Sequence, residues 1–267
     1  MIVIKIGGAA GVDYSAVCTD AARLIEAGKQ VVLVHGGSAD ATALGEDIGH
    51  PPRFVTSPSG FTSRYTDRRT LDIFAMAVNG GLNTRIVEQL RTLGVNAFGM
   101  SGLDGGLITA KRKGSIRIVE NGKRKMLHDD YTGKIQHVDV SLLQTFLAAG
   151  YTPVISPMAV SQDGEALNTD ADRMAAMIAA ALKAQNLLLL TAVPGLMRSF
   201  PDESTLISDL SQRDLKVALE YAEGRMKKKV LGAQEALDGG AQQVIIADGR
   251  IEAPISNALS GNGTTIH

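Results

Sequence analysis

The sequence predicts an α/β protein with a mainly parallel central sheet and β-hairpin excursions, and three observations predict it. Short β-branched runs at Ile2–Ile6 and residues 31–34 flank a stretch in which Val17, Ala21, Leu24 and Ile25 recur at helical spacing. That is the pattern of a βαβ unit, with parallel strands and a right-handed crossover. The alternation returns late, where an alanine-rich stretch to Ala184, the apolar run 187–190, a lysine-led helical stretch ending near Gly239-Gly240 and the run 244–247 follow in turn. Outside that scheme, Asn121-Gly122 between alternating residues marks a two-residue hairpin turn.

The chain has 267 residues, enough for one large α/β domain or two lobes of ordinary size. With 45% hydrophobic and 21% charged residues and a formal charge of −1, it is neither a disordered chain nor a global nucleic-acid surface. Cys18 is the only cysteine, which excludes an internal disulfide, fits a reducing cytoplasm and leaves the thiol to pack. No apolar run approaches the length of a membrane span, and the sequence opens on a strand rather than a basic leader, so a soluble cytoplasmic protein is expected.

The first strand opens directly into Gly7-Gly8. A buried strand has no structural use for the Lys5 ammonium at its end, so the charge is either snorkelling to solvent or holding a ligand. Glycine N–H groups and the start of the next helix suit a phosphate. His35-Gly36-Gly37-Ser38, after the second strand, repeats the arrangement and favours the ligand, because both turns then lie at strand carboxyl ends facing one crevice.

A helix is expected over residues 39–44, and the proline- and glycine-rich residues 49–67 read as a surface loop or hairpin suited to a lid. Leu71, Phe74, Val78, Leu82, Ile86, Leu90 and Leu93 describe one long amphipathic helix. Gly80-Gly81 inside it marks either a bend or the close approach of another backbone, as across a homodimer interface. From Lys111 to Lys125 the hairpin is basic, with Glu120 its only acid. Such a patch is either a solvated face or a surface for an acidic partner; nucleic acid is disfavoured, since no stacking aromatics are interleaved.

A helix over 139–149 and a strand over 153–156 follow. Asp170 and Asp172, at the start of the alanine-rich helix, either cap it or orient cations. Lys227, Lys228 and Lys229 begin a later helix against its dipole, so something anionic should offset them there. His50, His128, His137 and His267 have no metal-ligand spacing, and no protein-held metal is expected.

No G-x-x-x-x-G-K-[ST] run and no G-x-G-x-x-G after a strand occur, which removes Walker-type and dinucleotide-binding readings. Lys5-Ile6-Gly7-Gly8, His35-Gly36-Gly37, Asn168 to Asp172 and Gly224-x-Met226-x-x-Lys229-Val230, in this order, resemble the amino acid kinase family over essentially the whole chain. The resemblance implies a three-layer αβα sandwich in one domain, 1–267, with residues 1–160 forming the lobe for the acyl substrate and dimer contact and residues 161–267 the ATP lobe. It also implies a homodimer through the 71–93 helix.

Within the family the chain is similar to the N-acetylglutamate kinase branch, whose members transfer the γ-phosphoryl group of ATP, with Mg²⁺, to a side-chain carboxylate. By this resemblance Lys5 and Lys229 hold the transferring group, Asp172 orients both lysines, and Gly7, Gly8, Gly36 and Gly37 cradle phosphate. Ser38, Arg64 and Asn168 bind the acyl substrate, and Thr191, Gly195, Phe200, Asp202 and Lys227 lie near the nucleotide. An ionised carboxylate needs no general base, so cations and N–H groups suffice for such a reaction.

Several features depart from free N-acetylglutamate kinases. Ser38 replaces a third glycine, and Asp130-Tyr131-Thr132-Gly133-Lys134 replaces a Gly-Phe-Val-Gly run. With Thr66 to Thr70 and Ser101 to Gly105, these resemble the kinases of lysine biosynthesis that act on 2-aminoadipate carried by a small acidic amino-group carrier protein (LysW type). Lys111, Arg112, Arg117, Lys123, Arg124 and Lys125 are then the expected docking residues for that carrier. The nearest alternative is a free N-acetylglutamate kinase or a carrier-linked glutamate kinase of arginine biosynthesis. A non-catalytic sensor on the same fold would need neither lysine nor Asp172.

Overall fold

Side-chain alternation along the central strands decides the layers. A computed structural model describes residues 1–8, 11–222 and 224–267. The chain runs β1 (Ile2–Ile6), α1 (Tyr14–Glu26), β2 (Val31–His35) and α2 (Ser38–Asp47), then a small hairpin of β3 (Phe54–Thr56) and β4 (Thr62–Arg64). A continuous helical run follows: α3 (Arg68–Ala75), a π-helical stretch Met76–Asn83 and α4 (Thr84–Thr92). Next come β5 (Ala97–Ser101), the long arms β6 (Ile108–Glu120) and β7 (Lys123–Val138), α5 (Val140–Ala148), β8 (Thr152–Ser156), β9 (Met158–Val160) and β10 (Ala166–Asn168). The remainder is α6 (Ala171–Ala181), β11 (Asn186–Thr191), β12 (Asp209–Leu210), α7 (Leu215–Tyr221), α8 (Arg225–Asp238), β13 (Val244–Asp248), α9 (Pro254–Leu259) and β14 (Thr264–Ile266).

The main sheet has the order β12-β14-β13-β11-β1-β2-β8-β5 and is parallel except where β14 returns antiparallel to β13. Ile2, Ile4, Ile6, Val31, Leu33, Leu188 and Leu190 point to one side, into a core shared with Val17, Ile86, Leu90 and Ile255 from α1, α4 and α9. Val3, Val32, Val34, Leu187 and Leu189 point to the other, against Leu143, Met174, Ile178 and Val230 from α5, α6 and α8. The result is a three-layer αβα sandwich, and the period of two sends Lys5, two residues after Val3, to the α6–α8 side. Cys18 packs in the first layer, where burial pushes its thiol up to about 12.

A second sheet, β4-β3-β6-β7-β10-β9, closes partly on itself because β9 pairs with both β10 and β6. Its Asn121-Gly122 turn has φ of 53° and 72°, both in the left-handed region that such two-residue turns require. The hairpin is longer than its basic stretch, continuing to Val138 through Asp129 and Asp130. Charge alone hid that second half.

The 71–93 helix also differs from expectation. It is continuous from Arg68 to Thr92 but its central eight residues are π-helical. The wider turn brings Asn79 and Asn83 together onto the sheet: Asn79 accepts from Ser156 Oγ at 2.5 Å, and Asn83 donates to the Val154 carbonyl at 3.0 Å. A Cβ on Gly80 would meet nothing within 4 Å, so close approach of another element among the described residues does not explain that glycine.

Candidate active site

Two glycine turns and one buried charge cluster meet at the carboxyl ends of β1 and β2. The turns touch backbone to backbone: a Cβ on Gly8 would lie 2.3 Å from Gly37 N, and one on Gly36 would lie 2.4 Å from Gly8 Cα. Gly37 has φ of 141° and caps α2 with no side chain. His35, fully buried behind them, holds the turn; its Nδ1 donates to the Gly36 carbonyl at 2.7 Å while Nε2 accepts from Asn83 at 3.0 Å. Burial lowers its pKa to about 4, so the ring is neutral near pH 7 and serves as a positioner.

Lys5 reaches across to α6, where Asp172 Oδ1 lies 2.7 Å from its ammonium. Lys229, in the first turns of α8, places Nζ 3.0 Å from both oxygens of the same carboxylate. All three side chains are buried. Burial alone would raise the Asp172 pKa, but Lys229 and Lys5 together hold it well below the usual carboxylate range. Burial lowers the Lys229 pKa, an effect that Asp172 partly offsets and Lys5 reinforces. Two ammoniums share one carboxylate, so these three side chains together carry a net charge of about +1 in a desolvated place, with Asp170 adding a weaker attraction for Lys229.

Asp170 fills the capping role, accepting from the Asp172 and Arg173 amides at 3.0 and 3.2 Å. It also lies 3.5 Å from Lys228, so Asp170 and Asp172 together supply the anionic offset that the lysine-led start of α8 requires.

A cavity of about 320 Å³ adjoins the cluster. Its wall contains Lys5, Gly7, Gly8, Gly36, Gly37, Ser38, Arg64, Asn168, Asp172, Thr191 and Lys229, which the sequence had singled out across the length of the chain. Arg64 is buried and bonded only to neutral groups, Ser38 O at 3.0 Å and Thr42 Oγ1 at 2.9 Å, with its guanidinium 5.0 Å from the Phe54 ring centroid. Among the described residues no carboxylate pairs with it. Burial lowers its pKa, the electrostatic cost of holding a guanidinium without a counter-ion. Asn168 is oriented by a hydrogen bond to Thr66 Oγ1 at 3.1 Å.

Four expected nucleotide residues lie off the cavity wall. Gly195 is packed against Thr264, where a Cβ would come within 2.6 Å of Oγ1. Phe200 is 58% exposed, Asp202 caps a short turn by accepting from Ser204 N at 3.0 Å, and Lys227 is exposed. Of the basic hairpin residues, Lys111, Arg117, Lys123 and Arg124 are exposed, whereas Arg112 is held inside by Glu165 at 2.9 Å and stacks 3.7 Å from the Tyr131 centroid. Lys125 pairs with Glu120, which also takes Arg53 at 2.8 Å. Phe54, Thr62, Lys113 and Lys228 line the cavity without having stood out in the sequence as site residues. Lys113, inside a basic run, and Lys228, one of three lysines at a helix start, were the two that carried a local signal.

Among the described residues no group of His, Cys, Asp or Glu could hold a metal ion, and no helix is long and apolar enough to cross a membrane. The chain is 53% identical over 266 residues to a [LysW]-aminoadipate kinase of Deinococcus radiodurans, covering 100% of this chain and 91% of that protein. It is 48% identical to a [LysW]-aminoadipate kinase of Thermus thermophilus, with 100% of each chain covered. The N-acetylglutamate synthase structure of Neisseria gonorrhoeae with coenzyme A and N-acetyl-glutamate superposes with a TM-score of 0.79 at 27% identity, over 99% of this chain and 58% of that one. The sequence profile of the amino acid kinase family matches residues 1–248, and with a buried lysine–aspartate–lysine cluster facing two glycine turns, this chain belongs to that family.

Proposed function

We propose that this protein transfers the γ-phosphoryl group of ATP to the side-chain carboxylate of 2-aminoadipate carried on an acidic amino-group carrier protein, giving an acyl phosphate for lysine biosynthesis. The observation that carries the chemistry is the buried Lys5–Asp172–Lys229 cluster, two ammoniums on one carboxylate, beside an Arg64 that pairs with no carboxylate among the described residues. The carboxylate oxygen forms a bond to the γ-phosphorus as the bond from phosphorus to the β,γ-bridging oxygen breaks, and the electron pair leaves on ADP. Lys5 and Lys229 neutralise charge spreading over the transferring group, and the amides of the glycine turns add donors. Arg64 takes the substrate α-carboxylate, with Ser38 and Asn168 beside it. Mg²⁺ keeps several waters and needs few protein ligands, so it would come with the nucleotide phosphates and supply further charge neutralisation there.

The cavity holds only the reacting ends. In this reading residues 161–267 carry the nucleotide, whose far end extends from Thr191 toward Gly195, Phe200, Asp202 and Lys227, while residues 1–160 carry the acyl substrate. The open space at Gly80 and the half-exposed Met76 support a second copy on the π-helical stretch.

Strand register sharpens the carrier surface. Arg117 opposes Met126 and Val119 opposes Arg124, so these four side chains share one face. Thr56 opposes Val119 on the next strand, and Phe54 opposes Arg64 at the cavity. One exposed face therefore forms a strip that links Phe54, on the cavity wall, through Thr56 to the hairpin, where exposed Val119 and Met126 accompany Arg117 and Arg124. Lys123 and Lys125 sit on the opposite face with Glu120. An acidic protein bearing a tethered substrate fits this strip by charge and continuity. Changing Arg117 and Arg124 together to Ala should raise the carrier KM by about 10-fold or more with ATP KM unchanged, whereas changing Lys123 and Lys125 should have a smaller effect. Equal effects from both pairs would remove the strip as the docking face.

Hydroxylamine trapping of acyl phosphate tests the function itself, comparing carrier-linked aminoadipate, carrier-linked glutamate and free N-acetylglutamate. Turnover is expected with the carrier substrates, aminoadipate foremost; one methylene separates the first two and is worth only about 1–3 kcal/mol. Turnover of free N-acetylglutamate alone would overturn the reading.

A further inference from the structure

Tyr14 is the first residue of α1, held there by Asp13, which accepts from the Ser15 and Ala16 amides. Its side chain does not line the cavity, yet its hydroxyl donates to the Gly7 carbonyl at 3.0 Å. Gly7 and Gly8 both line the cavity. The peptide between them is trans, since Phe200-Pro201 is the only cis bond among the described residues. In a trans peptide the N–H points opposite to the C=O across one rigid plane. With the carbonyl turned outward to Tyr14, the Gly8 N–H is turned the other way, and among the described residues it has no acceptor. Burial raises the Tyr14 pKa, so the phenol stays a donor through neutral and moderately alkaline pH.

We propose that Tyr14 is a positioning residue for phosphoryl transfer: through the Gly7 carbonyl it fixes the peptide plane that aims the Gly8 N–H at the transferring group. The inference rests on the phosphoryl-transfer reading above and adds a residue to it. A backbone N–H on a glycine turn has rotational freedom that other turns lack, because no Cβ restricts φ and ψ at either side. A donor aimed at charge that develops in the transition state is effective only if it need not reorient during the reaction. Tyr14 supplies that fixity from outside the cavity, where its own hydroxyl cannot compete for the phosphate.

The test is Tyr14→Phe, which removes one oxygen and leaves the ring packing in place. The first measurement is kcat and KM with carrier-linked aminoadipate; the second is the affinity for ADP with aluminium fluoride, set against the affinity for ADP alone. The expected result is a fall of about 10- to 30-fold in kcat, KM values for ATP and carrier within 2-fold, and a matching loss of affinity for the fluoride complex with ADP affinity kept. Full kcat and an unchanged fluoride affinity overturn the proposal. So does a parallel loss of ADP affinity and of thermal stability, which would mark Tyr14 as a packing residue only. If wild type turns over none of the carrier substrates, the functional reading fails, and the fluoride complex still decides the role of Tyr14.

Discussion

Lys229→Met will stop phosphoryl transfer without unfolding the protein, and Asp172→Asn will do both kinds of damage. The asymmetry follows from counting charge in a buried cluster. Removing Lys229 leaves Lys5 paired with Asp172 at 2.7 Å, a neutral pair, and puts a thioether of similar length where the ammonium stood. Losing one partner of a buried ion pair is costly because it strands a charge, but here the remaining lysine and carboxylate still balance, so the cost is kept small. The transferring group, however, loses a preorganised cation, and losing one such contact typically costs about 10²- to 10³-fold in kcat. Asp172→Asn instead removes the one carboxylate that, among the described residues, both ammoniums touch, which should cost about 3–5 kcal/mol of stability. Urea denaturation and acyl phosphate formation, run on both variants, separate these effects. A Lys229→Met enzyme that is destabilised as much as Asp172→Asn, or one that keeps wild-type kcat, would sink the account of the cluster as a charge sink for phosphate.

Gly36→Ala should lower activity by about 10²-fold or more through geometry alone. Its added methyl would stand 2.4 and 2.5 Å from Gly8 Cα and N, both backbone atoms that cannot swing aside. The two turns must separate, and a shift of about 1 Å in positioning groups can cost roughly 10²-fold. Gly8→Ala meets Gly37 N at 2.3 Å and should behave alike. Combining the two substitutions should then cost little beyond either alone, since one separation relieves both clashes. Wild-type turnover in Gly36→Ala would mean that the turns do not form the phosphate cradle.

What was legible in the sequence was what the chain could not afford to hide. A lysine on a five-residue strand otherwise made of isoleucine and valine draws attention because burying an unpaired ammonium is costly, and the second glycine turn, not Lys5 alone, weighed against a snorkelling side chain. The glycine turns were readable for a similar reason, and so was the Asn-Gly hairpin tip. Groups placed by long-range packing were not. Tyr14 reads as an ordinary helix start, and Lys228 as one lysine of three. Asp20 caps α9 by accepting from Ile255 and Ser256 N–H, each at 2.7 Å, across more than 230 residues of chain, a partnership no local pattern encodes. The π-helical stretch was invisible because its apolar residues keep spacings compatible with an ordinary helix. The basic hairpin misled in a different way: counting charges grouped Lys123 and Lys125 with Arg117 and Arg124, but pairing register assigns them to opposite faces.

The layering of the main sheet makes the chemistry a matter of parity. Val3 and Lys5 belong to one side of β1 and Ile2, Ile4 and Ile6 to the other. One extra apolar residue inserted between Val3 and Lys5 would barely alter the strand's composition or hydrophobicity, yet would hand the ammonium to the layer that holds Cys18 and Leu90. The site is thus protected less by the identity of the residues around Lys5 than by an even or odd count from the start of the strand. An odd change of length there is nearly silent to composition and fatal to the cluster.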